Sequence, residues 1–386
     1  MAGVPSTGPA AQARLALSTV LDPELRRPIT ELGMVEDVAV DASGRAVVDV
    51  LLTIAGCPLR STIDADVRRA LAFVPGITDI QVNLGVMTPE QRTELKDRLR
   101  GGDPVRSIPF NRPGSLTRVY AVASGKGGVG KSSVTVNLAA AMARQGLRVG
   151  IVDADVHGFS VPGLLGITGG PTRVDEMILP PVAYGIKTIS IGMFLNGNEP
   201  VAWRGPMLHR ALEQFLTDVY FGDLDVLFLD LPPGTGDIAI SVGQLLPRSE
   251  ILLVTTPQSA AADVAERAGT VARQTGQTVA GVIENMSWLQ LPTGERMEVF
   301  GAGGGETVAG RLTAALGYPV PLLGSIPLDV ALRQGGDDGL PVVLRGETAA
   351  DSSAAALEEI AAGLARRPRG LSGLNLGVSP SARPGG

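Results

Sequence analysis

The chain has 386 residues, of which 44% are hydrophobic, 19% charged and 4% aromatic, with a formal net charge of −6. That length points to two domains, the low aromatic share to cores of Ala, Val, Leu and Ile, and the acidic balance argues against broad nucleic-acid binding. No apolar run approaches the ~18 residues of a membrane span, no charged-then-apolar leader opens the chain, and the single cysteine, Cys57, fits a reducing compartment. The expectation is a cytoplasmic protein with no membrane and no nucleic-acid partner. The basic run Arg366-Arg367-Pro368-Arg369 has the character of a solvated charge cluster.

In chain order, periodicity predicts a helix over 11–20, strands over 35–40 and 47–52 around a turn at 41–44, a helix over 63–73, a strand over 77–82 and a helix over 89–100. These make a small α+β domain over residues 1–100. Glycine and proline cluster over 101–117, which marks a linker. From 118 to 368, short apolar strands alternate with helical patterns; the strands are 119–123, 148–153, 226–230, 251–255, 279–284 and 322–326. Such alternation specifies an α/β domain with a mostly parallel, doubly wound sheet, whose ligands bind at the carboxyl ends of the strands. Residues 369–386, rich in Gly, Ser and Pro, are expected to be a disordered tail.

Between the first of these strands and a helical stretch lies Ser124-Gly-Lys-Gly-Gly-Val-Gly-Lys-Ser-Ser133, which fits the spacing G-x-x-x-x-G-K-S. Strand, loop and helix come in the order a phosphate cradle needs; without that context the run would be only a glycine-rich turn. Gly125, Gly127, Gly128 and Gly130 allow close backbone approach to phosphate oxygens, and Val129 with the following helix N-terminus contributes free N–H groups. Lys131 neutralises the β and γ phosphates, Ser132 is a Mg²⁺ ligand, and Ser133 completes the site. A second lysine, Lys126, lies inside the loop. The implied ligand is ATP with Mg²⁺.

Two carboxylate motifs stand at strand ends. In Asp153-Ala154-Asp155-Val156-His157-Gly158, Asp153 takes a metal-side role, and Asp155 is the catalytic candidate that orients the attacking water. Capping of a helix or outer-shell magnesium ligation by Asp155 remains the alternative. In Asp230-Leu231-Pro232-Pro233-Gly234-Thr235-Gly236-Asp237, Asp230 holds Mg²⁺ through water and the Gly-Thr-Gly segment senses the γ phosphate; a plain strand-to-helix turn capped by Asp237 is the alternative.

Together with Trp203-Arg204-Gly205-Pro206-Met207, Glu284-Asn285-Met286-Ser287, Phe300-Gly301-Ala302-Gly303-Gly304 and Ile326-Pro327-Leu328-Asp329, these motifs resemble the Mrp-type P-loop ATPases, a family of iron-sulfur cluster carriers related to septum-positioning and plasmid-partition ATPases. Asp22-Pro23-Glu24-Leu25 and Thr53-Ile54-Ala55-Gly56-Cys57-Pro58 resemble the MIP18-like domain linked to cluster assembly. The resemblance implies a P-loop NTPase fold, ATP hydrolysis and a homodimer with two ATP molecules at its interface. It also implies apoprotein clients, with Lys126 reaching the partner's phosphates. It gives Asn285 the adenine edge, although a turn residue at a strand end would look the same. His157 stands where the family commonly has an aromatic residue, and with only His209 beside it in the chain it is taken as a polar loop side chain rather than a metal ligand.

The chain departs from the family at Trp288-Leu-Gln-Leu-Pro-Thr-Gly-Glu295, where carriers usually have a Cys-x-x-Cys pair and this sequence has no thiol. A cluster asks for four ligands of mostly thiolate type, so two copies of Cys57 fall two short. Cys57 is either an iron-sulfur ligand helped by other donors or a small buried thiol. The leading expectation is an ATPase that supports iron-sulfur cluster assembly or transfer. The alternatives are a surface-cycling positioning ATPase and a nucleotide-locked, noncatalytic interaction module.

Overall fold

A computed structural model describes residues 8–54, 59–100, 107–112, 114–156, 158–194, 205–234, 236–258, 261–346, 349 and 351–367. The small unit contains α1 (Pro9–Leu17), β1 (Val35–Val40), β2 (Arg45–Leu52), α2 (Arg60–Ala72), β3 (Asp79–Val86) and α3 (Pro89–Arg100). Its sheet has the order β1-β2-β3, antiparallel then parallel. Val48 and Val50 point from the middle strand onto Ile63, Val67 and Leu71, which recur at helical spacing along α2 and are fully or almost fully buried. Each such side chain contributes roughly 1.5–3 kcal/mol of burial. Within 107–112, Phe110 is buried against Phe221 of the large unit, ring centroids 5.9 Å apart.

The large unit runs through β4 (Arg118–Ser124), α4 (Lys131–Arg144), β5 (Val149–Asp153), α5 (Val161–Leu164), β6 (Thr172–Val174), β7 (Met177–Leu179), β8 (Val182–Ala183) and β9 (Ile186–Ser190). It continues with α6 (Gly205–Asp218), β10 (Val226–Asp230), α7 (Asp237–Leu245), β11 (Glu250–Thr255), α8 (Ala261–Thr275), β12 (Thr278–Gln290), β13 (Arg296–Met297), α9 (Gly304–Leu316), β14 (Leu322–Leu328), α10 (Val330–Asp338) and α11 (Ser353–Ala365). Among the described residues these build a nine-stranded sheet, β13-β12-β11-β4-β10-β5-β9-β8, with β14 also on β12. All pairings are parallel except those of β8 and β13 at its margins.

Apolar runs form the central strands because both faces are covered. Val119, Ala121, Ala123, Leu227 and Leu229 enter one core, whereas the intervening Tyr120, Val122, Val226 and Phe228 enter the other. Tyr120 and Phe228 meet there with ring centroids 5.6 Å apart. The first core is completed by α6 to α9, the second by α4 and α11.

The hairpin β6–β7 is divided, and Ile178 of β7 enters the first core. Val174, Met177 and Leu179 are buried in the cluster formed by the small unit, beside Leu25, Leu32 and Leu95. Around this shared core Thr172 donates to Glu24 at 2.6 Å, while Arg92 and Lys96 pair with Asp175 at 3.4 and 2.9 Å. The hairpin and β9 lie outside the strands that periodicity predicts, and the hairpin carries large-unit side chains into the small unit's core.

Candidate nucleotide site

β4 is flanked by β10 and β11, and the chain leaves it for β5 on the far side of β10, so a crevice opens at the carboxyl end of the sheet. The loop 125–130 occupies that point and α4 begins at Lys131. Two glycines here are required by space. A Cβ on Gly125 would stand 2.4 Å from Val264, and Gly130 combines a φ of +78° with a place only 2.3 Å from Asn285 Nδ2.

Strand register sets Asp230 directly beside Asp153. Asp230 is fully buried, and three side chains of α4 converge on it. Lys131 Nζ pairs with Oδ1 at 2.7 Å, Thr135 Oγ1 donates to Oδ1 at 2.9 Å, and Ser132 Oγ donates to Oδ2 at 2.5 Å. Thr135 was not legible as a site residue. Its signal is a hydroxyl one turn after Lys131 in an otherwise apolar helix face.

Asp153 spends its oxygens on the neighbouring loop, accepting from the Asp155 amide at 3.2 Å, the Val161 amide at 3.3 Å and Ser190 Oγ at 3.1 Å. Burial, and then the negative charge of Asp230, push its carboxyl up to about 7. Asp155, also buried, turns its carboxylate onto the Gly158 amide at 3.1 Å. The Pro-Pro-Gly turn after Asp230 folds onto the phosphate loop, the Gly234 amide donating to the Ser124 carbonyl at 2.8 Å.

Lys126 does not share the Asp230 cluster: its ammonium donates to Gln258 Oε1, and Gln258 is a residue that sequence reasoning missed. Asn285 lies beneath the loop, its Nδ2 donating to the Val129 carbonyl at 2.9 Å. Its Oδ1 is buried without a partner among the described residues. The next residue, Met286, takes a left-handed φ of +59° at a register shift in β12. Glu284 accepts from the Gly305 amide at 2.6 Å and so caps α9. The thiol-free stretch 288–295 forms a hairpin in which Arg296 stacks 4.2 Å over Trp288.

Cys57, His157, Thr235 and the Trp203-Arg204 segment lie outside the described residues, as does the tail from 369. Among the described residues there is no group of three or more His, Cys, Asp or Glu side chains that could hold a metal ion. No helix among them is long and apolar enough to cross a membrane.

A loop of this geometry at a strand–helix junction is shared by many nucleotide-binding families, and comparison with known proteins decides among them. Residues 115–365 match the family model described as the NUBPL iron-transfer P-loop NTPase. The chain belongs to that family. Residues 10–84 match a second model, the iron-sulfur cluster assembly protein, which accounts for the small unit. The iron-sulfur cluster carrier protein of Mycobacterium bovis is 60% identical over 373 residues, covering 97% of each chain. That of Bacillus subtilis is 41% identical over 319 residues, covering 82% of this chain and 87% of its own. Among solved structures, the nucleotide-binding protein of Archaeoglobus fulgidus in complex with ADP aligns with a TM-score of 0.51 and 38% identity, over 58% of this chain and 87% of that one. The P-loop NTPase family therefore supplies the fold that the strand–loop–helix order and the parallel sheet express.

Proposed function

We propose that this protein is a cytoplasmic, homodimeric ATPase that supports iron-sulfur cluster assembly or transfer to client apoproteins. The observation that carries the reading is the convergence of Lys131, Ser132 and Thr135 on buried Asp230 beneath a glycine loop, with the unpartnered Asn285 Oδ1 alongside. The division that goes with it is a small unit over 1–100, a linker over 101–117, a nucleotide unit over 118–368 and a tail over 369–386.

The residues fit Mg-ATP. The Ser132 hydroxyl and the Asp230 carboxylate are hard oxygen donors of the kind Mg²⁺ takes, and Mg²⁺ usually needs only one or two of them from a protein. Gly130 lets the loop lie directly against Asn285, whose Oδ1 is an acceptor of the kind an adenine amino group satisfies. The amides at the start of α4 and the Lys131 ammonium bind phosphate oxygens. Ser132 and, through water, Asp230 would hold Mg²⁺, with Asp153 on the metal side behind Asp230, and the ion would supply neutralisation of phosphate charge. Asp155, released from Gly158, orients the attacking water. Lys126, released from Gln258, serves the partner's γ phosphate, placing a cation where charge gathers in the transition state. This two-lysine loop is the deviant Walker A of the proposal.

The donor set does not fit a cluster housed by one chain, since Cys57 is the only cysteine in 386 residues. Two protomers bring two thiolates, so the remaining ligands belong to the client. The test is phosphate release from Mg-ATP by the full chain, together with sedimentation of the chain bound to a nonhydrolysable analogue. Release that disappears in Lys131→Ala and a dimer held by the analogue are expected; release that persists in Lys131→Ala overturns the reading.

A further inference from the structure

A cavity of about 940 Å³ lies where the chain enters β5 and β10, at the end of the sheet away from the glycine loop, and is lined by both units; Arg26, Lys187, Tyr184 and Tyr220 are among its walls. β9 reads Ile-Lys-Thr-Ile-Ser and is buried along its whole length, which leaves Lys187 only 6% exposed. Burying an ammonium is costly unless something compensates it. Among the described residues no carboxylate lies within ion-pair distance of Lys187 Nζ and no acceptor takes its protons. Its neighbour is the ring of Tyr220, 4.9 Å from the ammonium.

Arg26 adds a second cation rather than an anion. Its Nη1 donates to the Gly185 carbonyl at 3.3 Å, two residues before Lys187 along the strand. Burial, and then the charge of Arg26, push the Lys187 ammonium down to about 8; Asp22 opposes this from a longer distance. The two acids in the wall are engaged elsewhere, Asp218 with Thr217 at 3.1 Å and Asp223 with Arg148 at 3.8 Å. Arg26 and Tyr184 also hold left-handed φ values of +54° and +50°, strain that a non-glycine residue keeps only where surroundings impose it.

We propose that this cavity binds a small phosphate-bearing molecule whose dianion sits between Lys187 and Arg26. Two unneutralised cations match the two charges a phosphate monoester carries near neutral pH, and its oxygens accept from both ammonium and guanidinium. The volume is that of an ordinary small-molecule pocket. A purely structural Lys187, braced on Tyr220, makes the opposite prediction for its removal.

The experiment follows the thermal midpoint of the full chain with Mg-ADP saturating the nucleotide crevice, against inorganic phosphate or AMP, with sodium chloride matching ionic strength. Wild type is expected to gain about 2 °C at phosphate tenfold above its Kd. Lys187→Met is expected to start from a higher midpoint than wild type, because an uncompensated charge is gone, and to show no phosphate-dependent gain. Arg26→Gln is expected to keep the starting midpoint and lose most of the gain. A larger gain with AMP than with phosphate assigns an organic phosphate, and equal gains assign the phosphate group itself. No gain in wild type, an equal gain in Lys187→Met, or a lower starting midpoint in that variant overturns the site.

Discussion

Asn285 Nδ2 donates to the Val129 carbonyl at 2.9 Å, so the middle of β12 grips the phosphate loop from below. The bond spans 156 residues of sequence and fixes the one peptide of the loop whose side chain, Val129, is anchored in the core. Asn285→Ala is therefore expected to cost about 1 kcal/mol of stability and to weaken Mg-ADP binding several-fold, because the loop is no longer preorganised. Titration calorimetry with Mg-ADP checks this, and unchanged affinity would mean that the loop holds its shape without Asn285.

Lys131 and Asp230 are 6% and 0% exposed, so each depends on the other for compensation. In the nucleotide-free protein, Lys131→Ala strands a buried carboxylate and is expected to cost about 3–5 kcal/mol. Adding Asp230→Asn should return a good part of that loss. Urea denaturation of both variants measures it; a double variant as unstable as the sum of the singles would show that the pair is not the source.

Lys126 rests on Gln258 within its own chain, outside the Asp230 cluster. Lys126→Ala is expected to keep nucleotide affinity within about threefold and to lower kcat by roughly 10²–10³, the range for removing a charge-stabilising donor. Steady-state phosphate release read beside ADP binding separates the two effects, and equal turnover in variant and wild type refutes the role.

Lys187 gives the protein an alkaline signature. Its folded pKa, about 8, lies below the unfolded value, so between about pH 8 and 10 the unfolded chain binds more protons than the folded one. Stability is thus present at the alkaline end and lost as pH falls through 8, by at most about 3 kcal/mol. Chemical denaturation at pH 7.5 to 10 should show this rise, and Lys187→Met should remove it. A wild-type profile that is flat over the window contradicts the assignment.

Met177, 2% exposed, is a large-unit residue inside the small unit's core. Met177→Ala is expected to cost roughly 2–5 kcal/mol and to lower the melting of the small unit together with that of the large one. Scanning calorimetry of wild type should give one endotherm; two well-separated endotherms would show that the shared core does not couple the units.

The parts of the fold that could be read from sequence are those whose chemistry is local. β4, β5, β10 and β11 are buried on both faces and therefore appear as short apolar runs ending in Ser124, Asp153, Asp230 and Thr255. The glycine loop and the two acidic motifs follow from spacing alone. β9 escaped because Lys187 and Thr188 interrupt its apolar pattern, and β12 was cut short at 284 because Asn285 and Ser287 break the pattern of a strand that continues to Gln290. The partners of Lys126, Asn285 and Glu24, namely Gln258, Val129 and Thr172, lie more than one hundred residues away along the chain. No local pattern encodes such contacts.

The graft of β6 and β7 into the small unit bears on how this protein can be taken apart. A fragment beginning at residue 118 retains Val174, Met177 and Leu179 but, apart from Tyr220, loses the small-unit side chains that cover them. Bare aliphatic surface of that kind makes the shortened polypeptide prone to self-association, whatever the state of its glycine loop. Dissection by point substitution avoids that hazard.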